Sequence, residues 1–139
     1  MKDDRIWAVL AHLCGCLWVI CIPFAGPIAT AIVYVTKRHV SPFVADQARE
    51  AQNFQNTVAL AVVAVVVFFA FAVDQLAIRG ATEPALAAVA LGAILLAAIM
   101  IANVVLSVVA AAAVHGGETY RYPFCVRLIR AASEPRAAR

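Results

Sequence analysis

The chain has 139 residues, 65% of them hydrophobic and 14% charged, and its mean hydropathy is +0.91. A soluble domain, with an apolar share of about 45–50%, has enough polar surface to cover itself, and this chain does not. The formal charge of +3 is small, and its basic residues flank apolar runs instead of clustering with aromatic platforms, which argues against nucleic acid and for lipid headgroups.

These features imply one membrane domain without an internal repeat. After a short charged lead, residues 6–22 are an apolar run long enough for about 25 Å of helix, a first span. A secretory signal peptide has a similar pattern, with Lys2 and Arg5 ahead of the run and Ala29-Thr30-Ala31 beyond it. The apolar character, however, continues to Val35. Pro23 and Gly26-Pro27 interrupt the run, and residues 6–36 as one helix would reach about 46 Å, so the chain must turn there. Residues 27–36 then make a short second span of about 15 Å, helped by snorkelling Lys37 and Arg38, or else a half-crossing re-entrant segment.

Ser41 can cap a helix opened by Pro42, whose missing amide donor costs nothing at that position. At 100° per residue, Phe43, Val44, Ala48, Ala51 and Phe54 share one side of residues 42–55, and Asp46, Arg49, Glu50 and Asn53 share the other. The pattern predicts an amphipathic helix at the cytoplasmic surface. A third span covers residues 57–73, a polar connection contains Arg79 and Gly80, and a fourth span covers residues 85–114. Ala88, Gly92, Ala93, Ala98 and Ala102 would let the fourth span approach a neighbour closely. Gly116-Gly117 ends it, and residues 118–139 form a basic tail.

Four spans put Lys2, Arg5, Lys37, Arg38, Arg49, Arg121, Arg127, Arg130, Arg136 and Arg139 on one side and Arg79 alone on the other. Three spans divide them eight against three. The positive-inside rule favours the sharper asymmetry, and with it cytoplasmic termini. The expected fold is therefore an all-α membrane protein, a four-span helical bundle with a cytoplasmic amphipathic helix between spans two and three, in the bacterial inner membrane.

The segments "AHLCG" at residues 11–15, Gly26-Pro27, Lys37-Arg38, "SPFV" and "EAQNFQ" around residues 41–55, and "GETYRYPFCVRLI" from Gly117 occur in that order. Together they resemble the bacterial Tic-twenty-like family, small four-helix membrane proteins related to a subunit of the chloroplast inner-envelope import machinery. The bacterial branch is mostly of unknown function; the resemblance implies an accessory, scaffold or assembly role, with polypeptide handling carried over only from the plastid relative.

Charged or polar side chains within a span are expensive in lipid and mark sites worth weighing. His12 in the first span bonds a neighbouring helix or reaches the interface. Asn103 and Ser107, four apart, share a face suited to interhelical bonding more than to a pore lining. Asn53, Gln55 and Asn56 sit where the surface helix meets the third span. With Glu50, Tyr120, Arg121 and Tyr122 they would form a cytoplasmic patch that binds a partner, in which Arg121 reaches Glu50 or the amide carbonyls of Asn53 and Gln55. The plainer reading makes Tyr120-Arg121-Tyr122-Pro123 an interfacial anchor, with Arg127 and Arg130 on anionic headgroups.

The cysteines Cys14, Cys16, Cys21 and Cys125 lack zinc spacing and read as small apolar residues. No metal spacing links His12, His39 and His115, and there is no nucleophile elbow or phosphate loop, so no catalytic residue, metal or cofactor is expected. The sequence reads as a non-enzymatic scaffold or assembly subunit whose partners are the bilayer, other membrane proteins or further copies of itself. The alternative, a small homo-oligomeric channel or transporter, needs a polar stripe through the bilayer, and only His12, Thr30, Asn103 and Ser107 offer one.

Overall fold

The computed structural model describes residues 2–20 and 24–130, which are helical apart from short turns and an irregular tail. Helix α1 covers Lys2–Leu13 and passes into a 3-10 segment, Cys14–Ile20; α2 covers Ala25–Lys37, α3 Pro42–Ile78 and α4 Thr82–Gly116.

Helix α3 starts as its sequence predicts. Ser41 is extended, its side chain accepts the Val44 N–H at 3.3 Å, and Pro42 opens the first turn. No glycine or proline follows until Gly80, so nothing stops the helix between Gln55 and Thr57. The surface helix and the third span are thus one helix of 37 residues, about 55 Å long. A left-handed Gly80 (φ 69°) ends it, with Gly80 N–H bonded to Ala77 and Ala81 N–H to Leu76. Gly117 (φ 92°) ends α4 through the same paired bonds, from Gly117 and Glu118 to Val114 and Ala113. Both follow the Schellman pattern, in which glycine takes the left-handed position without a Cβ penalty.

The α3–α4 hairpin is bare over most of its length. Between residues 59 and 102 Gly92 alone is buried, and its Cα lies so close to Phe69 that an added Cβ would be 3.0 Å from that ring. Ala93, Ala98 and Ala102 face outward, so the small-residue stripe expected at a helix contact is mostly not used as one. The most apolar stretches of α3 and α4 have mean hydropathies of 2.6 and 2.7, with 6% and 11% of their residues buried. A soluble core helix of that composition would be mostly buried, and water does not tolerate so large an apolar surface. Both helices are long and apolar enough to cross a membrane.

Two such helices are present among the described residues, not the expected four. The run predicted as one span over 6–22 leaves α-geometry at Cys14, and its last two residues, like the turn at Pro23, lie outside the described residues. Helices α1 and α2, at 12 and 13 residues, reach about 18 and 20 Å, short of a hydrocarbon core of about 30 Å. They pack side by side against one end of the hairpin, here called the base. Ala11 there meets Ala48 and Ala51, with Val33 and Tyr34 against them, and the Lys37 ammonium sits 3.8 Å above the Trp7 ring.

The base also overturns the surface-helix reading of 42–55. Val44, Ala48, Ala51 and Phe54 are buried as the apolar side, with Gln47 among them, but Glu50 and Asn53 on the polar side are buried too. This part of α3 is the centre of the packed unit, covered by α1, α2, α4 and the tail.

Candidate functional site

Gln47, Glu50, Asn53 and Thr57 follow one another at intervals of three and four, which places them in one stripe along α3. The tail after Gly117 runs along that stripe as a strap whose main chain is bonded by its side chains. Gln47 Oε1 accepts the Tyr120 N–H at 3.1 Å, Glu50 Oε1 the Tyr122 N–H at 3.1 Å, and Thr57 Oγ1 the Val126 N–H at 3.0 Å. Asn53 makes both bonds of a backbone pair with Ile129, donating to its carbonyl at 2.9 Å and accepting its N–H at 2.8 Å. A buried backbone group needs a partner, and the stripe supplies them.

Glu50, 5% exposed, also faces Arg127, whose Nη2 lies 3.3 Å from Oε1. The carboxylate raises the Arg127 pKa. Arg121, predicted to make this contact, is exposed, and Arg127 takes the place assigned to it. Burial raises the Tyr122 pKa, so its phenol stays protonated. Its ring stacks on Phe54 with centroids 3.8 Å apart and planes 2° from parallel. Tyr122 is therefore a core residue, not a lipid anchor.

His12 joins this system from α1. Because Tyr120 N–H can only donate, the group of Gln47 that receives it is the amide oxygen, and that same oxygen lies 3.3 Å from His12 Nε2. Nε2 must then carry the proton, which leaves Nδ1 to accept from the Tyr122 hydroxyl at 2.9 Å. The neutral imidazole satisfies every partner, consistent with its 1% exposure.

About two turns further along α3, Gln55 organises a second junction. Trp18 Nε1 donates to Gln55 Oε1 at 3.0 Å, Gln55 Nε2 to Asn103 Oδ1 at 2.9 Å, and Asn103 Nδ2 to the Gly15 carbonyl at 2.9 Å. This relay ties the 3-10 segment, α3 and α4 together. Glycine is needed twice: a Cβ on Gly15 would overlap the Gln55 amide and come within 2.5 Å of Ser107 Oγ, and one on Gly26 would lie 2.5 Å from the Trp18 ring. Gly26→Ala is expected to cost about 1–3 kcal/mol by overpacking, read as a lower thermal midpoint in detergent.

The structure thus brings Glu50, Asn53, Tyr120 and Tyr122 to the strap, with His12 beside them, and Gln55, Asn103 and Ser107 to the junction. Thr30 bonds the Gly26 and Pro27 carbonyls of its own helix. Sequence reasoning missed Gln47 and Thr57, although the three-and-four spacing of the stripe was readable, and it set Arg127 on headgroups without its pairing to Glu50. It also missed Gly15 and Trp18, for which no local pattern exists. Cys14, Cys16 and Cys125 are free thiols and partly buried; Cys21 lies outside the described residues. Among the described residues no three His, Cys, Asp or Glu side chains are grouped so as to hold a metal ion.

A family model described as the magnetosome magnetite crystal formation protein family, MamF/MmsF, matches residues 3–129. The chain belongs to this family. The match begins in α1, runs through the hairpin and ends on Ile129, the strap residue that Asn53 holds. This corrects the resemblance to Tic-twenty-like proteins and, with it, the link to polypeptide translocation. The short segments that suggested it mark helix ends and basic or aromatic stretches beside apolar runs, features that small membrane proteins share for physical reasons. Searches of curated proteins and of solved structures find no match.

The strap's hold can be measured. Asn53→Ala removes both bonds to Ile129, worth about 1.4 kcal/mol together, and should speed tryptic cleavage at Arg127 and Arg130 about tenfold. An unchanged cleavage rate would show that the strap is held without Asn53.

Proposed function

We propose that this protein is an integral component of the magnetosome membrane that takes part in magnetite crystal formation as a non-catalytic structural subunit. Membership of a family with that description, over residues 3–129, carries the reading. The bare α3–α4 hairpin supports insertion, and the polar side chains at the base are taken up by bonds to the strap's main chain and to one another, which supports a structural role. The hairpin crosses the bilayer twice. Residues 51–73 of α3 carry no charge and span about 34 Å, close to a hydrocarbon core with its boundary. Helices α1 and α2 form a re-entrant pair that enters partway from the base side. Such a pair leaves the charge count unchanged, so the base faces the cytoplasm and the turn at Arg79 faces the opposite compartment.

Deletion of the gene in a magnetosome-forming bacterium should leave membrane compartments but change the number, size or shape of crystals, as counted by electron microscopy. Crystals indistinguishable from those of the parent strain would reject the role. Reporter fusions after Gly80 and Gly117 test the topology separately: activity of a periplasm-dependent reporter after Gly117 would reverse it.

A further inference from the structure

The strap's outward side is unlike that of an ordinary polar tail. From Phe124 its residues alternate: Cys125 and Ile129 are half-buried against α3 and Arg127 turns to Glu50, whereas Phe124, Val126 and Leu128 point away. Phe124 is 97% exposed on a left-handed backbone (φ 55°), with Val126 and Leu128 at 50% and 57%. The segment is irregular, with a turn at Phe124 and a tight turn from Val126 to Leu128, yet it keeps an apolar outer side over a bonded inner one, which is what a segment lying between protein and lipid requires.

The strap's position along the hairpin agrees. Its bonds reach Asn53 and Thr57, past Glu50, the last charged residue before the apolar stretch of α3. Leu128 sits beside Phe24, Leu60 and Val63 over a shallow apolar recess of about 290 Å³. Main chain near the lipid boundary is stabilised where its polar groups are met inside the protein, and interfacial water reaches the rest. The amides of Tyr120, Tyr122, Val126 and Ile129 meet the α3 stripe, and Leu128 N–H bonds the Val126 carbonyl. Arg121 and Arg130, both exposed, then stand where anionic headgroups would be, while Arg127 stays on Glu50.

We propose that residues 120–130 are an interfacial membrane element, with Phe124, Val126 and Leu128 seated in the lipid boundary of the base-side leaflet and Arg121 and Arg130 on anionic headgroups. The α3 stripe is what lets a non-helical segment lie there. The inference rests on the hairpin crossing the bilayer, and the test separates the two.

The full chain, with its cysteines replaced by alanine and its fold checked by circular dichroism, carries a nitroxide at one introduced cysteine. The sites are Phe124→Cys, Leu128→Cys, Val67→Cys on the hairpin and Glu118→Cys before the strap. It is reconstituted in phosphatidylethanolamine vesicles with and without phosphatidylglycerol. Collision with oxygen relative to a water-soluble nickel chelate should be several-fold higher at 124 and 128 than at 118, but lower than at 67, and should fall at 124 and 128 when phosphatidylglycerol is omitted. If 67 is lipid-exposed while 124 and 128 collide mainly with nickel, the strap lies in water and the inference fails while the hairpin reading stands. If 67 meets nickel, the hairpin reading itself fails. Positions 124 and 128 shielded from both reagents would mean that protein covers the strap, which also overturns the inference. Should the cysteine-free chain not fold, a benzophenone side chain replacing Phe124 in the otherwise unchanged protein gives the same decision. Photo-adducts with lipid support the inference, and adducts between chains overturn it.

Discussion

Gln55→Leu should lower the thermal midpoint of the detergent-solubilised protein by about 10 °C, because it removes the centre of the relay while nearly preserving volume. The Trp18 indole N–H loses its acceptor and Asn103 Oδ1 its donor, and Asn103 is 1% exposed. A buried polar group left without a partner costs about 1–3 kcal/mol, and two of them, at about 2–4 °C per kcal/mol for a chain of this size, give that shift. Gln55→Glu is informative in a different way. Its carboxylate still accepts from Trp18, but the Asn103 amide must then turn its nitrogen toward residue 55, which sets its oxygen against the Gly15 carbonyl. That variant should also be destabilised. If either variant melted within about 2 °C of the parent, the relay would be a consequence of packing and not one of its causes.

The relay shows where sequence reasoning stops. The start of α3 at Ser41-Pro42 and the end of α4 at Gly117 are written locally, through a side-chain cap and a left-handed glycine, and both are readable from a few residues. The apolar stretches of α3 and α4 are readable for the same reason: they are long, and composition alone identifies them. What the sequence conceals is the meaning of polar residues within reach of those stretches. Glu50 and Asn53 have the spacing of a solvated face, and a solvated face is the usual reason for such spacing. Here their partners are main-chain amides 72 and 76 positions later, and no pattern of side chains announces a bond to backbone.

The division of residues 42–73 into two elements failed for a related reason. The change from polar to apolar at Gln55 is a change of environment, which composition records, whereas a change of backbone direction needs a breaker that the segment lacks. The first apolar run failed in the opposite sense. Its composition is uniform across Cys14, but the close contact of Gly15 with Gln55 and Ser107 draws the chain out of α-geometry, and that contact is set by two other helices.

Glu50→Ala is the second change expected to matter greatly. It leaves the Tyr122 N–H, at 3% exposure, without an acceptor, at about 1–3 kcal/mol, and frees Arg127 from its carboxylate. Tyr122 holds its ring on Phe54 and its hydroxyl against His12, so the loss should spread from the strap to α1, with faster tryptic cleavage at Arg127 and Arg130 accompanied by a lower melting midpoint. Glu50→Gln keeps an oxygen for the amide and gives up only the charge, so it should retain most of the midpoint while loosening the strap. Arg127→Ala, read at Arg130 because it removes the other tryptic site, should loosen the strap as Glu50→Gln does, and combining those two changes should add little there, because both remove one contact. Arg121→Ala should leave cleavage at Arg127 and Arg130 unchanged, since its side chain lies on the outside. If Arg121→Ala exposed the strap as much as Arg127→Ala, or if Glu50→Gln and Arg127→Ala gave strictly additive losses, the carboxylate would not be the clasp that holds the tail to α3.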